Sequence, residues 1–272
     1  MHAGSGPTAV RRSSLREQIA NALREEMMAG RLVAGHRFTV KEIADLYGVS
    51  ATPAREALVD LTAQGLLRIE HHRGFAVPAL TWEDFLDIIE ARILLTDNVF
   101  RHLRRRASGI DGSRLPTVHR RAEAATRAAR AGQLDVLVGC DRRFWQEVTG
   151  LLGNARIADY LDWLRVQSWM YAAPFLRGRS DLSRLCWDGH LDLVERIAER
   201  DGAGAQRTVV EYNRSLVELM ARLSGRQLEA AARLPLLFDE PAAASAAAPA
   251  DGCGARSQAV PGQHDPCRVP GR

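Results

Sequence analysis

Two groups of side chains in this 272-residue sequence are spaced to do recognition chemistry. The first surrounds Arg55. In Gly48-Val-Ser-Ala-Thr-Pro-Ala-Arg-Glu-Ala-Leu58, helical spacing sets Ala54, Ala57, Leu58 and the following Leu61 on one inward stripe and leaves Arg55 off it. A guanidinium on the outer face of a helix with a small-residue inner face can pair bidentately with guanine in the DNA major groove. Ser50 and Thr52 bring hydroxyls to the start of that helix, where either can cap it, and Pro53 suits its first turn. His72-Arg73-Gly74 then forms a basic tip suited to the minor groove, with Gly74 permitting close backbone approach.

The second group is polar but set among apolar residues. Arg92 falls within the stripe Phe85, Ile88, Ile89, Leu95 and Val99. Asp141 falls within Leu137, Val138, Phe144, Trp145 and Val148. His190 shares a face with Trp187, Leu191, Val194 and Ile197, and Asn213 with Val209, Leu216, Val217 and Met220. Each residue alone reads equally well as a core group satisfied by a neighbour. Four helices each turning one polar residue inward are most economically explained by one shared ligand pocket, because buried polar groups are costly unless paired. Trp163, Trp169 and Tyr171, on the helix after that of Trp145, either line this pocket or pack the core, and core packing is the favoured expectation.

The elements that position these groups follow from periodicity. Leu15 to Ala29 reads as a helix, and a loop turning at Gly35 leads to a second, Val40 to Tyr47, capped by Thr39. The Arg55 helix runs to about Gln64. The period then shortens to two: Leu67 and Ile69 alternate with Arg68 and Glu70, and Phe75 and Val77 follow the basic tip. Three helices and a two-stranded hairpin in this order make a winged helix-turn-helix. From Thr81 the chain reads as helices near 81–106, 113–131, 133–150, 154–176, 180–200 and 203–223, punctuated by glycines. The fold class expected is therefore mostly α, a winged helix-turn-helix followed by an antiparallel all-helical bundle. The expected divisions are a flexible arm at 1–12, the winged domain at 13–78, the helical domain at 79–238 and a disordered tail rich in Ala, Pro, Gly and Ser at 239–272.

Composition sets bounds. A net charge of +4 and a pI near 9.2 permit contact with nucleic acid without requiring it. No stretch approaches the roughly 20 apolar residues of a membrane helix, and the N-terminus lacks a signal-peptide core. Cys140, Cys186, Cys253 and Cys267 show no paired spacing. A cytoplasmic protein without disulfides or a membrane partner is expected.

Residues 15–78 resemble the DNA-binding domain of the GntR family of bacterial transcription regulators. The match rests on Ala29-Gly30, Ala34-Gly35, Lys41-Glu-Ile-Ala44, Gly48-Val-Ser50, Thr52-Pro53, Arg55-Glu-Ala-Leu58, Gly65-Leu66 and Gly74-Phe75 taken together. The helical block resembles the FCD effector domain of the FadR-type subfamily, through Thr81-Trp82-Glu-Asp-Phe85, Ala91-Arg92 and Gly150…Gly153-Asn154. The resemblance implies DNA contacts by Lys41, Ser50, Thr52, Arg55, His72, Arg73 and Gly74. Lys41 stands where the family often has Arg, so phosphate contact is expected of it. Ala51 replaces the family's usual Arg, which removes about 1–3 kcal/mol of base discrimination.

Many FCD domains hold a divalent metal with one Asp and three His. Asp141 and His190 match two of those positions, but the others carry Trp145 and Asn213. Indole cannot ligate a metal, and an amide oxygen is a poor ligand for zinc or nickel. No stable metal or other cofactor is therefore expected. Arg92, Asp141, Trp145, His190 and Asn213 are expected to line a pocket for a small organic acid, which is either polar or more apolar, such as an aryl or acyl acid. The implied protein is a homodimeric, ligand-modulated DNA-binding regulator, most simply a repressor, nucleoid-associated when bound to DNA. The alternative is a DNA-binding regulator whose helical domain only dimerises. No nucleophile–base pair or Gly-rich phosphate loop points to an enzyme.

Overall fold

The first helix begins where its cap is written. In the computed structural model, which describes residues 14–105, 112–151, 153–228, 231 and 234–238, the Ser14 hydroxyl accepts from the Glu17 N–H and the Glu17 carboxylate accepts from the Ser14 N–H. This capping box opens α1 (Leu15–Met28). Thr39 and Glu42 repeat the device for α2 (Val40–Tyr47), which ends on Gly48 at φ +62°. The left-handed conformation there is cheap only for glycine. The Arg55 helix, α3 (Ala51–Ala63), departs from expectation at its start. Ser50 holds the capping position but its side chain makes no capping bond, and Thr52 already lies inside the helix. Ile19, Leu23 and Met27 of α1 pack with Ala54, Leu58 and Leu61 of α3 in one core.

The wing has a strand that alternation did not reveal. β1 (Arg37–Phe38) joins β2 (Arg68–Glu70) and β3 (Gly74–Ala76) in an antiparallel sheet ordered β1-β3-β2. Two residues are too few to show a period. Ile69, which alternates with Arg68 and Glu70, is 61% exposed and does not face the core. Ile69 pairs with Phe75 across the ladder, but β2 is the outer strand, and Phe75 is covered from the other side by Phe38. Gly74 is required by this sheet itself. Its φ is +87°, and a Cβ there would stand 2.5 Å from the Phe38 carbonyl oxygen.

The helical domain comprises α4 (Trp82–Arg105), α5 (Leu115–Arg130) after a 3₁₀ turn, α6 (Leu134–Gly150), α7 (Ala155–Leu176), α8 (Leu182–Leu185), α9 (His190–Ala198), α10 (Gly202–Ser224) and α11 (Pro235–Phe238). The single helix expected at 180–200 is two, separated at Cys186–Gly189. The Trp187 ring lies over Gly189, where a Cβ would sit 2.7 Å from it, so the chain turns here and His190 starts a new helix. None of the helices among the described residues is long and apolar enough to cross a membrane. The expected arm at 1–12 and tail at 239–272 lie outside the described residues.

Up to Phe238 the chain forms one compact unit, and α7 is where the winged part meets the bundle. The Trp163 indole donates to the Gln64 carbonyl at the end of α3 (2.6 Å). Arg177 donates through Nε to the Ala29 carbonyl at the end of α1 (2.9 Å). Gly30, at φ +67°, lies so close to Ala173 that a Cβ would be 3.2 Å from its backbone. Asp135 of α6 joins Arg31 and Arg177 across the same seam.

Two alanine substitutions separate conformational cost from crowding. Gly35→Ala, at φ +80° with open space around it, should cost on the order of 1 kcal/mol. Gly74→Ala meets the same conformational penalty plus backbone overlap and should cost clearly more. Urea unfolding of both variants checks the order, and equal losses would contradict it.

Candidate functional site

The residues expected to contact DNA fall near the starts of two helices and on the hairpin tip. Arg55 is exposed on α3, Lys41 on the first turn of α2, and Ser50 and Thr52 at the start of α3. Ala51 is exposed beside them, so the side chain missing relative to the family would have pointed outward. His72 and Arg73 are exposed at the tip, where His72 takes a positive φ of 61° to make the turn. Gly74 is half-buried, and β1 rather than a groove accounts for its lack of a side chain.

In the bundle, Arg92, Asp141, Trp145, His190 and Asn213 are all buried, but they do not form one pocket. Asp141 is the hub. Its Oδ1 accepts from the Trp145 indole (3.0 Å) and faces His190 Nε2 at 3.3 Å; its Oδ2 accepts from the Trp169 indole (2.9 Å) and from Arg165 (3.1 Å). Burial alone would raise this carboxyl. The Arg165 charge, with His190 and the Trp169 N–H, outweighs burial and holds it far below the usual carboxylate range. An ionised Asp141 accepts, so His190 carries its proton on Nε2. Arg165 also donates to the Tyr212 hydroxyl (3.0 Å) and lies over the Trp145 ring, 4.3 Å from its centroid. Trp145 thus both donates to the carboxylate and shields its cation.

Arg92 and Asn213 stand apart from the hub. Arg92 donates to the Ser168 hydroxyl (3.0 Å), and among the described residues no carboxylate bonds it. Burial, and then the like charge of Arg165, lower its pKa. Asn213 turns back to donate to the Val209 carbonyl of its own helix (2.8 Å). Arg92, Trp145 and Asn213 line a void of only about 10 Å³, enough for one water. Two buried polar atoms in this region lack a partner among the described residues, His190 Nδ1 and Asn213 Oδ1.

The larger space is elsewhere. A cavity of about 260 Å³ opens on the other side of Asp141, between α6, α7, α8 and α10. Of the five expected residues only Asp141 lines it, and Ser168, Trp169 and Tyr212 complete its polar end. Trp169 packs against the core and also bonds Asp141 and faces this cavity, so both of its expected roles are present; Tyr171 packs in the core, 4.5 Å from Phe85 between ring centroids. Trp163 instead ties the bundle to α3. Sequence reasoning missed Arg165, Ser168 and Tyr212. A signal was present: Leu161, Leu164, Arg165, Ser168 and Ala172 form a helical stripe that puts Arg165 inward.

These residues do not fit the metal that the subfamily's pattern implies. All four donors to Asp141 come from the protein, and one is a guanidinium that already supplies positive charge. Trp145 has no lone pair to give. The Asn213 nitrogen is used on its own helix, and its unpartnered Oδ1 is an amide oxygen, a poor ligand for zinc or nickel. His190 Nδ1 and Asn213 Oδ1 are two donors, fewer than a stable zinc site takes.

Asp141→Asn should destabilise the protein by about 3–5 kcal/mol at neutral pH, because it strands a buried guanidinium. Since folding depresses this carboxyl's pKa, its stabilisation is fully present above the unfolded value near 4 and is lost as pH falls below it. The gap between wild type and Asp141→Asn should be the same at pH 7 and pH 5 and narrower by about 1 kcal/mol at pH 3. A gap independent of pH would contradict the assignment. Added zinc or nickel should leave the melting temperature of the wild type unchanged.

Comparison with known proteins agrees with this architecture. Residues 15–77 match the family model described as bacterial regulatory proteins, gntR family, and residues 87–215 match the FCD domain. The chain is 35% identical over 88 residues to the HTH-type transcriptional regulator BphR of Paraburkholderia xenovorans, a match spanning 36% of that protein and 32% of this one. It is 24% identical over 214 residues to the HTH-type transcriptional repressor RspR of Escherichia coli, covering 76% of this chain and 89% of that one. Escherichia coli McbR/YncC has the same fold, with a TM-score of 0.68 at 20% identity over 78% of this chain and all of that one. A winged helix-turn-helix with an exposed reading helix, joined to a helical sensor-type domain, is thus matched over both parts, and the chain belongs to the GntR family of DNA-binding transcription regulators with an FCD domain.

Proposed function

We propose that this regulator binds a short palindromic operator as a homodimer in the bacterial cytoplasm, represses from it, and is modulated by a small organic acid held in its helical domain. Arg55 is assigned to base reading, Lys41 and the hydroxyls of Ser50 and Thr52 to the phosphate backbone and flanking bases, and His72, Arg73 and the Gly74 turn to the minor groove. The exposure of Arg55, Lys41, Ser50, Thr52, His72 and Arg73 on one small domain supports the assignment. The absence of a capping bond from Ser50 leaves its hydroxyl and the first N–H groups of α3 available to phosphate.

The observation that carries modulation is the double duty of α7. On one side Ser168, Trp169, Ala172 and Leu176 line the cavity; on the other Trp163, Ala173 and Arg177 touch the ends of α1 and α3. A ligand that favours one setting of α7 shifts how the winged domain is held, by no more than its differential affinity for the two settings. An acid is favoured because two buried guanidinium groups stand behind the cavity's polar wall, Arg92 bonded to Ser168 and Arg165 to Asp141, against the single carboxylate Asp141.

Arg55→Ala should leave the circular dichroism spectrum and melting temperature unchanged and weaken specific operator binding at least about tenfold. Lys41→Ala should weaken binding to all sequences alike and flatten its salt dependence. Quantitative footprinting at two salt concentrations distinguishes them. Wild-type affinity in Arg55→Ala would remove the base-reading role.

A further inference from the structure

The cavity beside Asp141 has a chemical character that the polar cluster does not reveal. Leu137, Ala172, Leu176, Leu185, Leu216 and Leu219 supply an apolar lobe, and the rings of Trp169, Trp187 and Tyr212 close it. The Cys186 thiol on the wall is pushed up to about 11 by burial and by the Asp141 charge, so it is protonated at neutral pH and behaves as apolar surface. At the polar end, both Asp141 oxygens and the Ser168 hydroxyl are already bonded, so they do not compete for a ligand. The wall carries one basic residue, Arg184 on α8. Arg184 is exposed at the rim, and among the described residues no carboxylate pairs with it. A polyhydroxylated acid would leave its hydroxyls unpaired against leucine, which is costly.

We infer that this cavity takes an apolar monocarboxylate, an aryl or short acyl acid, with its hydrocarbon body among the leucines and tryptophans and its carboxylate on Arg184. The volume, about 260 Å³, lies near the small end of ligand sites and suits a body on the order of one aromatic ring. The guanidinium fork matches a carboxylate bidentately, and its place at the mouth lets the charge remain partly hydrated while the body is desolvated. This inference rests on the effector-responsive reading above. It shifts the anion's anchor from Arg92, which lines only the water-sized void, to Arg184.

Calorimetric titration of the full chain, paired with operator-affinity measurements, tests the inference. The probes are phenylacetate and hexanoate as the two apolar sources, phenylacetamide as the uncharged analogue of the first, and gluconate and citrate as polar acids. At least one apolar acid should bind, the amide should bind at least tenfold more weakly than phenylacetate if the aryl acid is the one held, and Arg184→Ala should weaken the bound acid at least tenfold. Because Arg184 is exposed, that variant should keep the wild-type melting temperature, and Arg184→Lys should recover part of the affinity. Binding of gluconate or citrate without the apolar acids would overturn the apolar assignment while leaving an effector-responsive regulator. Binding that Arg184→Ala does not alter would overturn the anchor. If no acid of either class binds or changes operator affinity, the effector-responsive reading fails as well.

Discussion

The helical domain depends on one buried carboxylate being fully paired. Asp141 is 2% exposed, and it remains ionised because Arg165, His190 and two indole N–H groups converge on it. Desolvating an ion costs several kcal/mol, which only such close pairing offsets. The hub draws its donors from α6, α7 and α9, and Tyr212 of α10 joins through Arg165. Four helices are thereby tied together by polar contacts. The same contacts fill the positions of the expected ligand pattern differently: a guanidinium supplies positive charge, and Trp145, standing where the resemblance implies a ligand histidine, supplies an N–H and a π face.

This hub also determines where a ligand can act. Its donors crowd the region of Arg92 and Asn213 to the size of a water, and the usable space opens instead toward α8. α7 contributes Arg165 and Trp169 to the hub, four residues to the cavity wall, and Trp163 and Arg177 to the seam with the DNA-binding domain. A single helix therefore carries the electrostatic anchor, the ligand wall and the inter-domain contact. Pro174 lies in its last turn, beside the place where Gly30 packs. A proline there removes one backbone hydrogen bond from that turn.

Much of this was legible in the sequence, and the failures have physical causes. The capping boxes at Ser14 and Thr39, the left-handed Gly48 and the inward stripe of α3 are local signals, and the winged domain follows them closely. β1 escaped notice because a two-residue strand has no periodicity of its own and exists only through its pairing with β3. The break before His190 depends on Trp187 folding over Gly189, a contact that spacing does not encode. At the site, periodicity placed Arg92, Asp141, His190 and Asn213 inside the bundle correctly. It could not say which of them meet, because the Asn213 nitrogen bonds its own helix and Arg92 finds Ser168. Arg165 went unread because an arginine between Leu164 and Val166 looks like an ordinary surface charge until its partner is known.

The central claim is that Asp141 and Arg165 are energetically one unit, and a double-mutant cycle measures this directly. Asp141→Leu and Arg165→Met, each alone, should be strongly destabilising because each leaves an unpaired buried charge. Together they remove both charges, and the double variant should be clearly more stable than the sum of the single losses, by a coupling of at least about 1–3 kcal/mol in urea unfolding. Losses that simply add would show that the pair is incidental and that the bundle is held by its apolar packing alone.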